Sequence, residues 1–316
     1  MNRPKSKIAI NGFGLIGRAL ALRISQNTDL HLVAINEVGF GIDDAVQLLS
    51  RSSAQAGIAM NCNESPDAIS LNGHHVSWLG ILEPERLPWA DLEIDVVIEA
   101  AQFFARSELE AQSDGGRIKV LMTGDLRRGL PDMTVVPCVN ADQYQSDYSI
   151  LCAGSDRAQS LCPVLLLLDQ MYGVETFQFA VHRPPYGGRE WLIGSRATDI
   201  EQLARIVPAW AAKGQAFRIE ELNATHATIW LEAALSNATT VPEISDLLVN
   251  AAADKFARVI FTGTQIGAPN GTTHSCHIDL DSVRVVENRV WIEIRYDPVT
   301  SYVERICDIL KLITSR

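Results

Sequence analysis

The sequence predicts an α/β protein: a Rossmann dinucleotide-binding domain followed by an α+β second domain with a mainly antiparallel sheet. Three observations carry this. Lys7-Ile8-Ala9-Ile10 is a short apolar strand that passes through a glycine turn into a Leu- and Ala-rich helix over 15–26, then into a second apolar strand, Leu30 to Asn36. Strand and helix patterns continue to alternate as far as Gly154. After Ser155 the strands lengthen, alternate in polarity and have few helices between them, as expected of an antiparallel sheet.

Taken in order, the first domain (1–154) continues with a helix from Ile42 to Ser50 and short strands at Val76–Leu79 and Asp95–Glu99. Further strands are expected at Lys119–Thr123 and Thr134–Pro137. The second domain (155–301) opens with a helix from Asp156 to Tyr172, stopped by Gly173. Its strands are Glu175–His182, Ala227–Ala234, Arg258–Thr262, Val283–Val286 and Arg289–Tyr296. An amphipathic helix, Tyr302 to Thr314, is expected to return to the first domain (302–316).

The 316 residues suit about two domains. With 47% hydrophobic and 21% charged residues the composition is that of an ordinary globular protein. The net charge of −11 argues against nucleic acid or an anionic membrane as partner. Small anions remain open, because local cations and helix N-termini decide those. The N-terminus lacks the apolar core of a signal peptide, and no apolar run nears the roughly 20 residues of a bilayer span. Six cysteines without paired spacing fit reduced thiols, so a soluble, cytoplasmic protein is expected.

Asn11-Gly12-Phe13-Gly14-Leu15-Ile16-Gly17 contains GxGxxG between a strand and a helix. Gly12 permits the tight turn, Gly14 lets a pyrophosphate approach the backbone, and Gly17 lets the helix pack on the strand. Glu37, ending the second strand, is placed to accept from the adenine ribose hydroxyls and to repel a 2′-phosphate, so NAD rather than NADP is the expected cofactor.

These residues give the chain a resemblance to the glyceraldehyde-3-phosphate dehydrogenase family. It resembles that family over Ile8–Arg18 (with Leu15 in place of a usual Arg), Val33–Glu37, Leu87–Glu99, Val135–Asn140 and Tyr296–Leu310. The resemblance implies a cysteine nucleophile in a Ser-Cys-Thr-Thr-Asn turn at a helix start, where the helix dipole lowers the thiol pKa. The matching run here is Ser155-Asp156-Arg157-Ala158-Gln159, which puts Asp156 at the nucleophile's position. A carboxylate cannot form the family's thioester, so the phosphorylating reaction is expected to be lost. Cys152 and Cys162 flank the position but read as buried structural residues.

The resemblance also matches His182 to the family's base, with a packed strand-end histidine as the plainer reading. A pair of His182 with Asp156 would suit acid–base chemistry. Arg218 matches a phosphate-contacting arginine, Ser155 falls in the substrate turn, and Thr123 matches a residue beside the nicotinamide. Other family ligands are replaced: by Arg183-Pro184-Pro185-Tyr186-Gly187-Gly188 after the histidine, by Ala101-Gln102, and by Pro298-Val299. The stretch from Val207-Pro208 to Gln215 looks shortened by about one helix. Two functions follow as expectations. One is an NAD-binding paralogue without the phosphorylating activity. The other is an NAD-dependent oxidoreductase of altered chemistry, with His182 and Asp156 moving a proton on a small aldehyde, carbonyl or hydroxyl substrate. The expected partners are a small anionic or phosphorylated metabolite and further copies of the chain in a homo-oligomer.

His274, Cys276 and His277 have the residue types of a metal site, but adjacent strand residues face opposite ways and no metal is expected. His74 and His75 are expected in a solvated turn after Asn72-Gly73.

Overall fold

The computed structural model describes residues 5–27, 29–56, 62–65, 67–101, 105–124, 130–183, 191–195, 197–221 and 226–315. The chain divides into two units: Met1–Val135, Gln143–Gly154 and Ile306–Arg316 form one, and Val136–Asp142 with Ser155–Arg305 form the other.

In the first unit β1 (Ser6–Asn11), α1 (Leu15–Ser25) and β2 (Leu30–Asn36) form the βαβ element, followed by α2 (Ile42–Ala56). Then come β3 (Cys62–Ser65), β4 (Ala68–Leu71), β5 (His74–Leu79), β6 (Val96–Glu99), α3 (Arg106–Gln112), β7 (Lys119–Met122) and β8 (Met133–Thr134). A short helix, α4 (Pro137–Asn140), belongs to the second unit, and β9 (Ile150–Cys152) completes the first sheet. The strand order is β3-β4-β5-β2-β1-β6-β7-β9-β8. Its central run, β5-β2-β1-β6-β7-β9, is parallel throughout and is the doubly wound order of a dinucleotide-binding sheet. The order reverses between β1 and β6, so a crevice opens beyond their carboxyl ends, where the glycine turn lies. Ile8, Ala9, Ile10, Val97 and Ile98 are fully buried, as helices on both faces of a parallel sheet require.

Two expectations change here. His74 and His75 are the first residues of β5, paired with Leu71 and Ser70 in a hairpin that the Asn72-Gly73 turn closes. The strand expected over Thr134–Pro137 ends at Thr134, because Pro137 instead opens α4, where its fixed φ and missing N–H suit a first helical turn.

The second unit begins with α5 (Asp156–Tyr172), ended by Gly173 at φ 70°. It continues with β10 (Val174–Arg183), β11 (Trp191–Ser195), α6 (Ala197–Ile206), β12 (Gly214–Glu221), β13 (Ala227–Leu235), α7 (Val241–Ala253), β14 (Ile260–Gly263), β15 (Cys276–Asp279), β16 (Arg284–Val286) and β17 (Arg289–Tyr296), and the last helix, α8 (Thr300–Thr314), starts here but from Ile306 belongs to the first unit. The sheet runs β11-β12-β10-β13-β17-β15-β14, with β16 on β17. It is mostly antiparallel; only β10 with β12 and β14 with β15 run parallel among the described residues. β17 shows why: Val290, Ile292, Ile294 and Tyr296 are buried while the residues between them are not, the pattern of a sheet covered on one face. The covering layer includes α5, whose Leu161, Val164, Leu165 and Leu168 share a core with Phe177, Phe179, Val181, Ile229 and Leu231. Helices α6 and α7 add to a unit expected to have few. Between Val207 and Gly214 there is only a 3-10 turn, Pro208–Trp210. Among the described residues no helix is long and apolar enough to cross a membrane.

Candidate functional site

The first unit holds the glycine turn. Gly12 has φ +97°, and its amide donates to Asn36 O at 2.8 Å. A Cβ at Gly12 would lie 2.7 Å from Ala101 N, and one at Gly17 would lie 2.1 Å from Gly12 O. A Cβ at Gly14 would meet nothing within 4 Å. Two glycines are therefore demanded by packing inside the protein, and the third leaves bare backbone facing open space, as a pyrophosphate requires. Gly14 is the N-cap of α1 and has no side-chain cap. The amides of Leu15, Ile16 and Gly17 precede the first intrahelical bond, Arg18 N to Gly14 O at 3.0 Å, and such first-turn amides at a helix N-terminus suit an anion. Leu15 itself is exposed, so its contribution is its amide.

Phe13 turns its ring inward, edge-on to Trp78 with centroids 5.2 Å apart. Its amide donates to Glu37 Oε2 at 2.8 Å, and Gly39 N donates to Oε1 at 2.7 Å. Each oxygen of Glu37 keeps a lone pair for a ribose hydroxyl, and the carboxylate is fixed beforehand. Arg18 Nη1 donates to Phe13 O at 2.9 Å, which ties the helix back to the turn. Burial lowers the Arg18 pKa, and the Glu37 charge opposes that shift. Asn11 is buried and bonded on both sides, to Asn36 and to Glu99, so its side chain shapes the turn from beneath. Thr123, just past β7, is buried, and its Oγ1 has no hydrogen-bond partner among the described residues. An orphaned hydroxyl at the carboxyl end of a central parallel strand is a fitting contact for an amide of a bound cofactor.

The second unit places Asp156 at the start of α5. Ser155 is the N-cap: its Oγ accepts from Ala158 N at 3.2 Å and donates to Gln202 Oε1 at 2.5 Å. That hydroxyl is spent on holding α5 to α6. The Asp156 carboxylate, only 9% exposed, has Arg157 Nη1 at 3.4 Å and Arg183 Nη1 at 3.7 Å. Arg157 also meets Asp199 at 3.0 Å. The result is a buried cluster of two carboxylates and two guanidiniums joining α5, α6 and β10.

His182 is not part of it. Along β10 Phe177, Phe179, Val181 and Arg183 are buried on the side that α5 covers, and His182 lies on the alternate face, where its ring stacks on Trp230 at 5.8 Å. The pair expected between Asp156 and His182 is replaced by Asp156 with Arg183, one residue along the strand. Arg218 is buried on β12 beside Val181, hence on the same face as Arg183. Gln102 and Pro184–Gly188 lie outside the described residues.

Residues 6–107 match the family model for the glyceraldehyde 3-phosphate dehydrogenase NAD binding domain. Over nearly its whole length the chain aligns with curated glyceraldehyde-3-phosphate dehydrogenases. It is 26% identical to glyceraldehyde-3-phosphate dehydrogenase 2 of Bacillus subtilis (99% of this chain, 98% of the relative). It is 27% identical to the enzyme of Clostridium acetobutylicum (95% and 96%) and 26% identical to enzyme 1 of Kluyveromyces lactis (96% and 98%). The chain is thus similar to glyceraldehyde-3-phosphate dehydrogenases over nearly its whole length, and its residues 6–107 match their NAD binding domain.

Given this similarity, the state of the thiols matters most. Cys138, Cys152, Cys162, Cys276 and Cys307 are all buried. Burial pushes the thiols of Cys162 and Cys276 well above the usual cysteine range. Cys162 lies inside α5 rather than at its start, and Cys276 Sγ donates to Ser160 O at 2.9 Å. His277 points away from Cys276: its Nε2 is 2.7 Å from Thr272 Oγ1 and its ring packs 4.9 Å from Phe261. Burial, with a smaller contribution from His274, lowers the His277 pKa to about 4. Among the described residues no three His, Cys, Asp or Glu side chains are grouped to hold a metal. Sequence reasoning missed Arg183, Asp199 and Gln202 as partners of the α5 start. Strand alternation sets Arg183 and His182 on opposite faces but does not say which of them meets α5.

Proposed function

We propose that the protein binds NAD in its first unit and does not catalyse the phosphorylating oxidation of glyceraldehyde 3-phosphate. The observation that carries this reading is Asp156. At the helix start where the family resemblance places a cysteine, this chain has a carboxylate set between the guanidiniums of Arg157 and Arg183. A carboxylate so engaged is a poor nucleophile towards an aldehyde and yields no thioester. The buried cysteines lie elsewhere, and desolvation disfavours the thiolates of Cys162 and Cys276. An acid–base role for Asp156 with His182 is disfavoured by their facing opposite sides of the sheet.

On the cofactor side Gly12, Gly14 and Gly17 shape the turn, the first amides of α1 take the pyrophosphate, Glu37 takes the adenine ribose, and Thr123 is offered to the carboxamide. Bound NAD would supply a hydride acceptor. The protein's own groups here bind and orient it. Incubation with NAD, glyceraldehyde 3-phosphate and inorganic phosphate is expected to produce no NADH. NADH formed at a catalytic rate by the wild type and lost in Asp156→Ala would overturn the reading.

The preference for NAD is expected to reside in Glu37. In Glu37→Gln one of the two fixed acceptors becomes a donor facing a backbone N–H, and the charge that repels a 2′-phosphate is gone. NAD affinity is expected to fall about tenfold while the gap between NAD and NADP narrows. Calorimetric titration with both nucleotides checks this, and an unchanged preference counts against it.

A further inference from the structure

The three strands at the reversal point each end in a buried polar residue: Asn11 in β1, Asn36 in β2 and Glu99 in β6. Their register puts Asn11 opposite both of the others. The side chains form one connected line. Asn36 Nδ2 donates to Asn11 Oδ1 at 2.8 Å, and Asn11 Nδ2 donates to Glu99 Oε2 at 2.7 Å. Gln112 Nε2, from α3, donates to the same Glu99 oxygen at 3.1 Å. The other oxygen, Oε1, accepts from Ala101 N at 2.8 Å. Asn36 closes the far end on Ile81, accepting from its N–H and donating to its carbonyl, both at 2.9 Å.

A buried acid is costly unless several donors satisfy it, and an apolar core would be simpler. Its position gives the reason for keeping it. Ala101 is the backbone that a Gly12 Cβ would strike, so the Glu99 bond to Ala101 sets the wall against which the glycine turn lies. The Glu99 bond to Asn11 sets the residue from which that turn departs. One carboxylate thus holds both Ala101, against which Gly12 packs, and Asn11, from which the turn departs.

We infer that Glu99 is a positioning residue of the dinucleotide site, holding the glycine turn and the end of β6 at the spacing that bound NAD needs. The inference rests on the NAD reading above and deepens it.

The test compares wild type, Glu99→Gln, Glu99→Asp and the reciprocal double variant Asn11→Asp with Glu99→Gln. NAD dissociation constants come from calorimetry, and melting temperatures are measured alongside. Glu99→Gln puts an amide donor against donors and is expected to weaken NAD about tenfold. Glu99→Asp keeps the acceptor but cannot span Asn11 and Ala101 together; it is expected to weaken NAD similarly, and it reads the effect should the Gln variant be insoluble. The double variant restores the Asn11-to-Glu99 bond with donor and acceptor exchanged and leaves Gln112 Nε2 facing a donor, so its affinity is expected to recover part of the loss seen in Glu99→Gln, by about threefold or more. A residue important only for folding would lower the melting temperature without changing the affinity of the folded protein. Wild-type-like affinity in either soluble single variant, or no recovery in the double variant, would overturn the inference. A wild type that binds no NAD would instead overturn the underlying reading.

Discussion

Gly17→Ala is expected to abolish measurable NAD binding and to destabilise the first unit by about 1–3 kcal/mol, the usual range for overpacking a filled site. The new Cβ would lie 2.1 Å from Gly12 O and 3.1 Å from Gly12 C. Both are backbone atoms of the turn, so no side chain can swing away to make room. Relief requires α1 to slide off β1 or the Gly12 peptide to rotate, and either moves the first-turn amides from their places. Gly14→Ala makes the contrast. Its Cβ meets no protein atom within 4 Å, and φ of −65° suits alanine, so thermal stability is expected to stay unchanged. The methyl group would instead occupy the space assigned to the pyrophosphate and weaken NAD about tenfold. Melting curves and calorimetric titrations of the two variants check the pair. Tight NAD binding by Gly17→Ala would contradict the geometry of the turn.

The second large effect is expected at Asp156. If the residue served only as a remnant of a lost active site, Asp156→Ala would be nearly neutral. Its surroundings predict otherwise. Arg157 and Arg183 are 5% and 2% exposed, and truncation removes a carboxylate that faces both of them, Asp199 remaining beside Arg157. Removing one member of a buried ion cluster costs about 3–5 kcal/mol, because the remaining charge stays desolvated. The second carboxylate, Asp199, retains part of the compensation, so the lower end of that range is expected. Equilibrium denaturation in urea measures it. A loss below about 0.5 kcal/mol, the scale of an ordinary surface substitution, would mean the cluster is not what holds the start of α5 to β10.

The parts of the fold legible in sequence were those whose signals are local. Leu30–Asn36, Asp156–Tyr172 and Arg289–Tyr296 were read with the boundaries the structure has. The first is a mainly apolar run, the second is bracketed by a serine cap and a glycine stop, and the third alternates cleanly. The hairpin of β3 and β4 escaped because four-residue strands carry too few periods to stand out. α7 escaped although its signal was present: Thr240 and Glu243 form a capping box and Pro242 lies in the first turn. The glycine turn was legible because each glycine answers to a separate steric demand. The surroundings of Asp156 were not, since they depend on which face of β10 meets α5. A shift of one residue exchanges His182 for Arg183, and only tertiary register decides that. The line from Asn36 to Glu99 was invisible for the same reason, because its members come from three strands far apart in sequence.

The proposal that the first unit binds NAD is tested most directly by calorimetric titration of the wild-type protein with NAD, with NADP as comparator. The account predicts saturable binding of one NAD per chain and weaker binding of NADP. Absence of NAD binding, or tighter binding of NADP, would contradict it.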